Sequence, residues 1–166
     1  MNHKLTLLWS WFVWLITYFL PDAPLIMRLR GLLYSPFMAK CGHNFQVAST
    51  CRILGLETLY VGDNVYFAAN SFINGGGEIH LGNDVMLGIG VVVVSGNHTL
   101  LDGSYRFGRR EEKSIDIGFG SWVGANSTIL AGAVVPESSI VAAGGVVTCQ
   151  LTSSGVYGGV PVRKIK

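Results

Sequence analysis

Charge is scarce in this chain: Asp, Glu, Lys and Arg make up 13% of its 166 residues, and the net charge is only +2. So small a balance gives no electrostatic footprint for nucleic acid, and no basic run interleaves with aromatic residues. Cysteine is sparse as well. Cys41, Cys51 and Cys149 are odd in number and lack metal-ligand spacing, which argues against a disulfide framework or a zinc site and reads as reduced thiols in the cytosol. No apolar stretch is long enough for an ordinary membrane span. The longest, residues 5–20 (LTLLWSWFVWLITYFL), would measure about 24 Å as a helix against a hydrocarbon core of roughly 30 Å. No small-x-small cleavage site follows it, because Pro21 and Pro24 crowd that place.

What the sequence does hold is a beat. Ile117, Val123, Ile129, Val135, Val141 and Val147 fall every sixth residue, and Ser121, Ser127, Ala133, Ser139 and Gly145 occupy a small position four residues after each of the first five. A strand repeats every 2 residues and a helix every 3.6, so neither produces a strict six. A parallel β-helix does, with each flat strand sending one bulky side chain inward and each corner admitting only a small one. The beat runs back through Val93, Leu87, Leu81, Ile73, Phe67 and Val61 to Ile53 and Val47, slipping by two residues near 56–60 and 75–78, where bulged corners are expected. Glycines such as Gly62, Gly82, Gly88, Gly118, Gly124 and Gly132 sit at corners, where positive φ is expected. The chain therefore reads as all-β: a left-handed parallel β-helix over 47–166, preceded by a short apolar helical segment over 1–46.

The beat is absent over 95–114, a polar and charged excursion that reads as an inserted loop, and loops of that length are usually functional or disordered. It opens with Ser95-Gly96-Asn97-His98-Thr99. An imidazole titrates near neutrality, so a histidine at the ordered root of a long loop is a candidate general base, and His98 alone of the four histidines has that setting. The amino-terminal segment leaves three readings open: packing on the β-helix or a neighbouring subunit, peripheral contact with the inner membrane, or spanning and secretion. Trp9, Trp11, Trp14 and Tyr18, with Arg28, Arg30 and Lys40 after them, suit an interface with anionic lipid.

The repeats, the SGNH loop and the closing Tyr157-Gly158-Gly159-Val160-Pro161-Val162-Arg163 together resemble the left-handed β-helix acyltransferases, in particular the maltose and galactoside O-acetyltransferase group and relatives of the colanic acid type that acetylate surface polysaccharides. The resemblance implies an acetyl-CoA-dependent O-acetyltransferase without a metal, a homotrimer with sites between subunits, and His98 as catalytic base. It further implies that Asn70 binds the acceptor sugar, that Trp122 lines the thioester pocket, and that Ala125, Ala143, Thr148, Arg163 and Lys166 hold the coenzyme. One departure stands out: Cys149 follows Thr148 where the family commonly has lysine. The alternatives are a small-molecule acetyltransferase acting on an amino acid or antibiotic, or a non-catalytic β-helix scaffold. Serine acetyltransferases are similar only in the repeats, and a zinc-dependent relative of the carbonic anhydrase kind would present several histidines where this loop presents one.

Overall fold

The computed structural model describes residues 3–166. From Lys40 onward the chain winds as a left-handed parallel β-helix, laying short strands on three flat faces in turn. Face A stacks Lys40–Cys41, Leu59–Val61, Ile79–Leu81, Ile115–Ile117 and Val134–Val135. Face B stacks Gln46–Val47, Tyr66–Phe67, Met86–Leu87, Trp122–Val123 and Ile140–Val141, and face C stacks Arg52–Leu54, Phe72–Asn74, Val92–Val94, Thr128–Leu130 and Val146–Val147. Val156–Gly159 joins the end of face B in parallel, and Val162–Lys164 folds back on it antiparallel.

The register explains the interruptions in the beat. Lys40 pairs with Tyr60 and Tyr60 with His80, so the early coils hold twenty residues, whereas Asp116 pairs with Val134 and Trp122 with Ile140, so the later ones hold eighteen, three full hexapeptides. The extra pair sits in bulged corners, as the slips suggest. The first is a 3-10 turn at Leu56–Thr58, opened by Gly55 in the left-handed region at φ 81°.

Ile117, Val123, Ile129, Val135, Val141 and Val147 point inward and are at most 2% exposed. The small positions between them are buried too, and serine there does more than fit: Ser121 Oγ donates to the Pro136 carbonyl at 2.8 Å and Ser127 Oγ to Ala142 at 2.9 Å. Each buried hydroxyl thus finds its acceptor on a stacked corner, and at Ala142 it shares the carbonyl with the Gly145 N–H.

The glycine expectation needs correction. Of the six corner glycines, only Gly132 has positive φ, at 85°. The rest are glycine because stacked corners touch: a Cβ on Gly62 would lie 2.4 Å from Asn83 Oδ1, and one on Gly118 would lie 2.4 Å from the Glu137 nitrogen. Left-handed corners are taken by other glycines, such as Gly90, Gly120 and Gly144, and by Asn44, Asn64, Asn70, Asp84 and Asn126, residue types that tolerate this conformation. Stacking links three of them, with Asn44 Nδ2 donating to Asn64 Oδ1 and Asn64 Nδ2 to Asp84 Oδ1, both at 2.9 Å.

Two helices precede the coils, α1 (His3–Thr17) and α2 (Pro24–Tyr34), the second beginning with a proline, which suits the first turn. α2 lies on the strand Gln46–Val47, with Gly31 so close to Phe45 that a Cβ would meet its carbonyl oxygen at 2.1 Å. α1 packs on Arg52–Leu54 and the turn after it, and does so with its polar side. Thr6, Ser10, Val13 and Thr17 are buried, while Leu8, Trp11, Phe12, Leu15 and Ile16 face outward. Thr6 Oγ1 donates to Glu57 Oε2 at 2.6 Å, and Ser10 Oγ donates to the Ile53 carbonyl. Arg30, 1% exposed, ties the layer down: it donates to Asp22 Oδ1 at 2.6 Å and to the carbonyls of Thr17 and Val47 at 3.2 Å each. Among the described residues no helix is long and apolar enough to cross a membrane.

Candidate active site

The excursion at 95–114 is a built element. Gly96–His98 pairs antiparallel with Arg110–Glu112, placing His98 opposite Arg110. Its root is clamped by a residue that sequence reading passed over. Ser95 is fully buried; its hydroxyl donates to the Gly77 carbonyl at 2.7 Å, its N–H to Asn74 at 3.2 Å, and its carbonyl accepts from Lys113 at 3.0 Å. On the far side, Thr99 N and Oγ1 both donate to the Arg109 carbonyl, at 3.1 and 2.8 Å. His98 therefore stands between two fixed neighbours with its ring exposed, and no hydrogen bond from that ring is formed among the described residues.

Around it lies a small cleft of about 70 Å³, whose walls include Asn74, Val94, Asn97, Arg110 and Glu112. Asn74, Gly76, Arg110 and Glu112 also line a larger cleft of about 430 Å³ that reaches His3 and Leu7 of α1 and Glu57. The approach to His98 is thus continuous with the first turn of α1. Asn74 was findable in advance, since the twenty-residue coil puts it in register with Val94 at the loop root. Arg110 and Glu112 were not, because only the hairpin pairing aims them there. At the far end of the cleft, burial pushes the Glu57 carboxyl up, but hydrogen bonds from Thr6, its own backbone and His3 outweigh that and hold it below the usual range.

The other candidates fall on different parts of the prism. Asn70, Ala125 and Ala143 lie at the corner between faces B and C; Asn70 is left-handed at φ 59°, its N–H donating to Thr50 Oγ1 at 2.8 Å, and the Ala125 carbonyl accepts from Gly144. Trp122 projects from face B, 46% exposed, in register with Met86 and Ile140. Thr148 directly follows Val146–Val147, on the edge between faces C and A from which the His98 hairpin leaves. Arg163, opposite Gly158, and Lys166 are exposed on the closing hairpin at the end of face B. Within one chain, then, the fold does not bring His98 together with Asn70 or Trp122: the width of face C separates the two edges. His80 is mid-strand on face A, stacked on Tyr60 with centroids 4.4 Å apart.

Among the described residues no group of three or more His, Cys, Asp or Glu converges as a metal site. The cysteines offer no nucleophile beside His98 either. Cys51 is buried and its thiol is pushed up to about 12 by that burial, Cys149, just after face C's last strand, is exposed, and neither lines the cleft around His98.

Short parallel coils in three faces, broken once by a clamped histidine hairpin, place the chain in the class of hexapeptide-repeat β-helix proteins. No protein-family model matches it. Among known proteins, a Schizosaccharomyces pombe relative whose name provisionally assigns it to the acetyltransferases is 30% identical over 150 residues, spanning 87% of this chain and 70% of its own length. The galactoside O-acetyltransferase of Escherichia coli K12 is 24% identical over 143 residues, spanning 86% of this chain and 70% of its own. A hexapeptide-repeat acetyltransferase of Vibrio cholerae, solved with acetyl coenzyme A, superimposes with a TM-score of 0.86 at 22% identity, covering 98% of this chain and 87% of that one. The chain belongs to the hexapeptide-repeat acetyltransferases.

Proposed function

We propose that this acetyltransferase uses acetyl-CoA to acetylate a sugar hydroxyl of a bacterial surface polysaccharide or its precursor, with His98 as general base. The observation that carries the reading is the hairpin itself, which holds an exposed imidazole beside an open cleft through a buried serine clamp. In the reaction, His98 takes the proton of the acceptor hydroxyl as that oxygen attacks the thioester carbonyl. The tetrahedral oxyanion is stabilised by a backbone N–H and collapses to the ester with departure of the CoA thiolate, to which the imidazolium returns the proton. No acyl-enzyme is required.

Asn70 is assigned to the acceptor, and Trp122, Ala125, Ala143, Thr148, Arg163 and Lys166 to the donor. Small side chains at the Ala125 and Ala143 corners leave backbone groups accessible, and the cations of Arg163 and Lys166 suit phosphates. Because Asn70, Ala125 and Ala143 lie across face C from His98 and Trp122 lies on face B, a complete site needs the face C/A edge of one copy beside the B/C edge of another, which supports a homotrimer. A cytosolic donor places the enzyme on the cytosolic side of the inner membrane, in peripheral contact with it.

The test is His98→Ala. Loss of a general base costs about 10²- to 10⁴-fold in turnover, and acetyl-CoA affinity measured by calorimetry should stay as in the parent. A variant that keeps more than about a tenth of the activity overturns the assignment.

A further inference from the structure

α1 is folded inside out relative to a water-facing helix. A surface helix normally buries its apolar stripe, yet here two threonines and a serine are turned into the fold while Leu8 is 64% exposed and Phe19, just past the helix, 88%. α2 continues the surface with Leu25 at 75% and Leu32 at 67%. Trp11, Phe12 and Phe19 alone, at about 150–250 Å² per aromatic side chain, leave on the order of 350 Å² bare. The leucines add to that, against the ~300–600 Å² of the largest patch on a typical monomer. Two of the tryptophans do not contribute: Trp9 donates to the Leu33 carbonyl at 2.8 Å and packs on Phe37, and Trp14 lies beneath Arg52.

The charge says what covers this face. Residues 3–34, the two helices and the link between them, contain Lys4, Arg28 and Arg30 against the single acid Asp22, a balance of +2. Asp22 is itself engaged by Arg30. A second copy docking face to face would bring two positive surfaces together. An anionic bilayer meets apolar area and charge at once.

We propose that the outer faces of α1 and α2 dock on the interface of an anionic membrane, with the apolar side chains in the headgroup–acyl boundary and Arg28 at the headgroups. The polar seam exists because the helix's other side is the protein. Since the cleft at His98 runs to His3 and Leu7 on the first turn of α1, docking would bring a membrane-borne acceptor to that cleft; this corollary alone rests on the transferase reading.

The experiment is flotation of the full chain with vesicles of phosphatidylcholine, with and without phosphatidylglycerol. The parent should float with the anionic vesicles. Arg28→Gln should weaken that partition about fivefold, the equivalent of one basic residue at the surface, and L8Q/W11Q should weaken it tenfold or more. All variants should keep the parent's circular dichroism, light-scattering mass and acetyl-CoA consumption with a soluble sugar. Failure of the parent to float, or L8Q/W11Q floating as the parent does, overturns the proposal. So does a fall in the mass of L8Q/W11Q, which would make the face a contact between copies. Acetyl-CoA consumption is read separately: if the parent shows none, the transferase reading falls while the flotation result still decides docking.

Discussion

The β-helix and the amino-terminal helices partition their side chains in opposite senses. In the coils, Val, Ile and Leu point in, and corner serines satisfy carbonyls inside. In α1, hydroxyls point in and leucines point out, although the two regions share a boundary at Ile53, Glu57 and Val47. The difference teaches that the surface a segment packs on, here the Ile53 carbonyl and Glu57, and not its composition, decides which way its residues turn. The coils face water and one another. α1 leaves its apolar side bare, the face proposed above to dock on a membrane.

Substitutions can break that contrast. The largest effect is expected in the prism, where Ile129 is fully buried: Ile129→Ala should cost about 2–5 kcal/mol through lost burial and a residual cavity, read as a shifted denaturation midpoint with an unchanged slope. Next comes the tie between the regions. Asp22→Ala leaves the Arg30 guanidinium buried without its counter-charge, and a loss of about 3 kcal/mol is expected, the low end for breaking a buried pair because Asp22 is itself 36% exposed and Arg30 keeps its carbonyl partners. Limited proteolysis should then cut between α1 and α2 before the coils.

Acid gives a smaller handle. The Glu57 carboxyl titrates lower in the folded chain than in the unfolded one, so its contribution is fully present above its ordinary value of 4.5 and is lost as pH falls through the lowered folded value. Below that window α1 should loosen first, seen as a tryptophan-fluorescence change ahead of the loss of β-sheet signal, and Glu57→Gln should flatten the pH dependence. The smallest effect sharpens the comparison most. Leu8→Ala removes the kind of side chain that is worth kilocalories in the prism, yet at 64% exposure it should shift stability by no more than about 0.5 kcal/mol.

Sequence and structure agree where the physics is local and differ where it is not. The inward set from Val47 to Val147 was legible because a coil repeats its environment every eighteen or twenty residues, so each position announces itself several times. The glycines misled because two causes give the same letter: Gly132 is glycine for its φ, whereas Gly62 is glycine for the stacked corner twenty residues on, and a single residue does not say which. His98 stood out by its place at the root of the excursion. Its surroundings did not, because Ser95 looks like any loop serine until its hydroxyl is seen on Gly77, and Arg110 and Glu112 reach the cleft only through the hairpin register.

By itself, the sequence determined the β-helix, its bulged early coils, the position of the excursion and the presence of an apolar helical start, since each follows from periodicity and composition along the chain. Tertiary structure alone decided the direction α1 faces, because its partners Ile53 and Glu57 lie more than forty residues away and no pattern within residues 3–17 names them. It decided too that His98 stands at the C/A edge, apart from Asn70 at the B/C corner and Trp122 on face B. Which edge a residue occupies depends on how many residues each coil consumes before it, a sum over the whole stack that becomes visible only when the coils are closed.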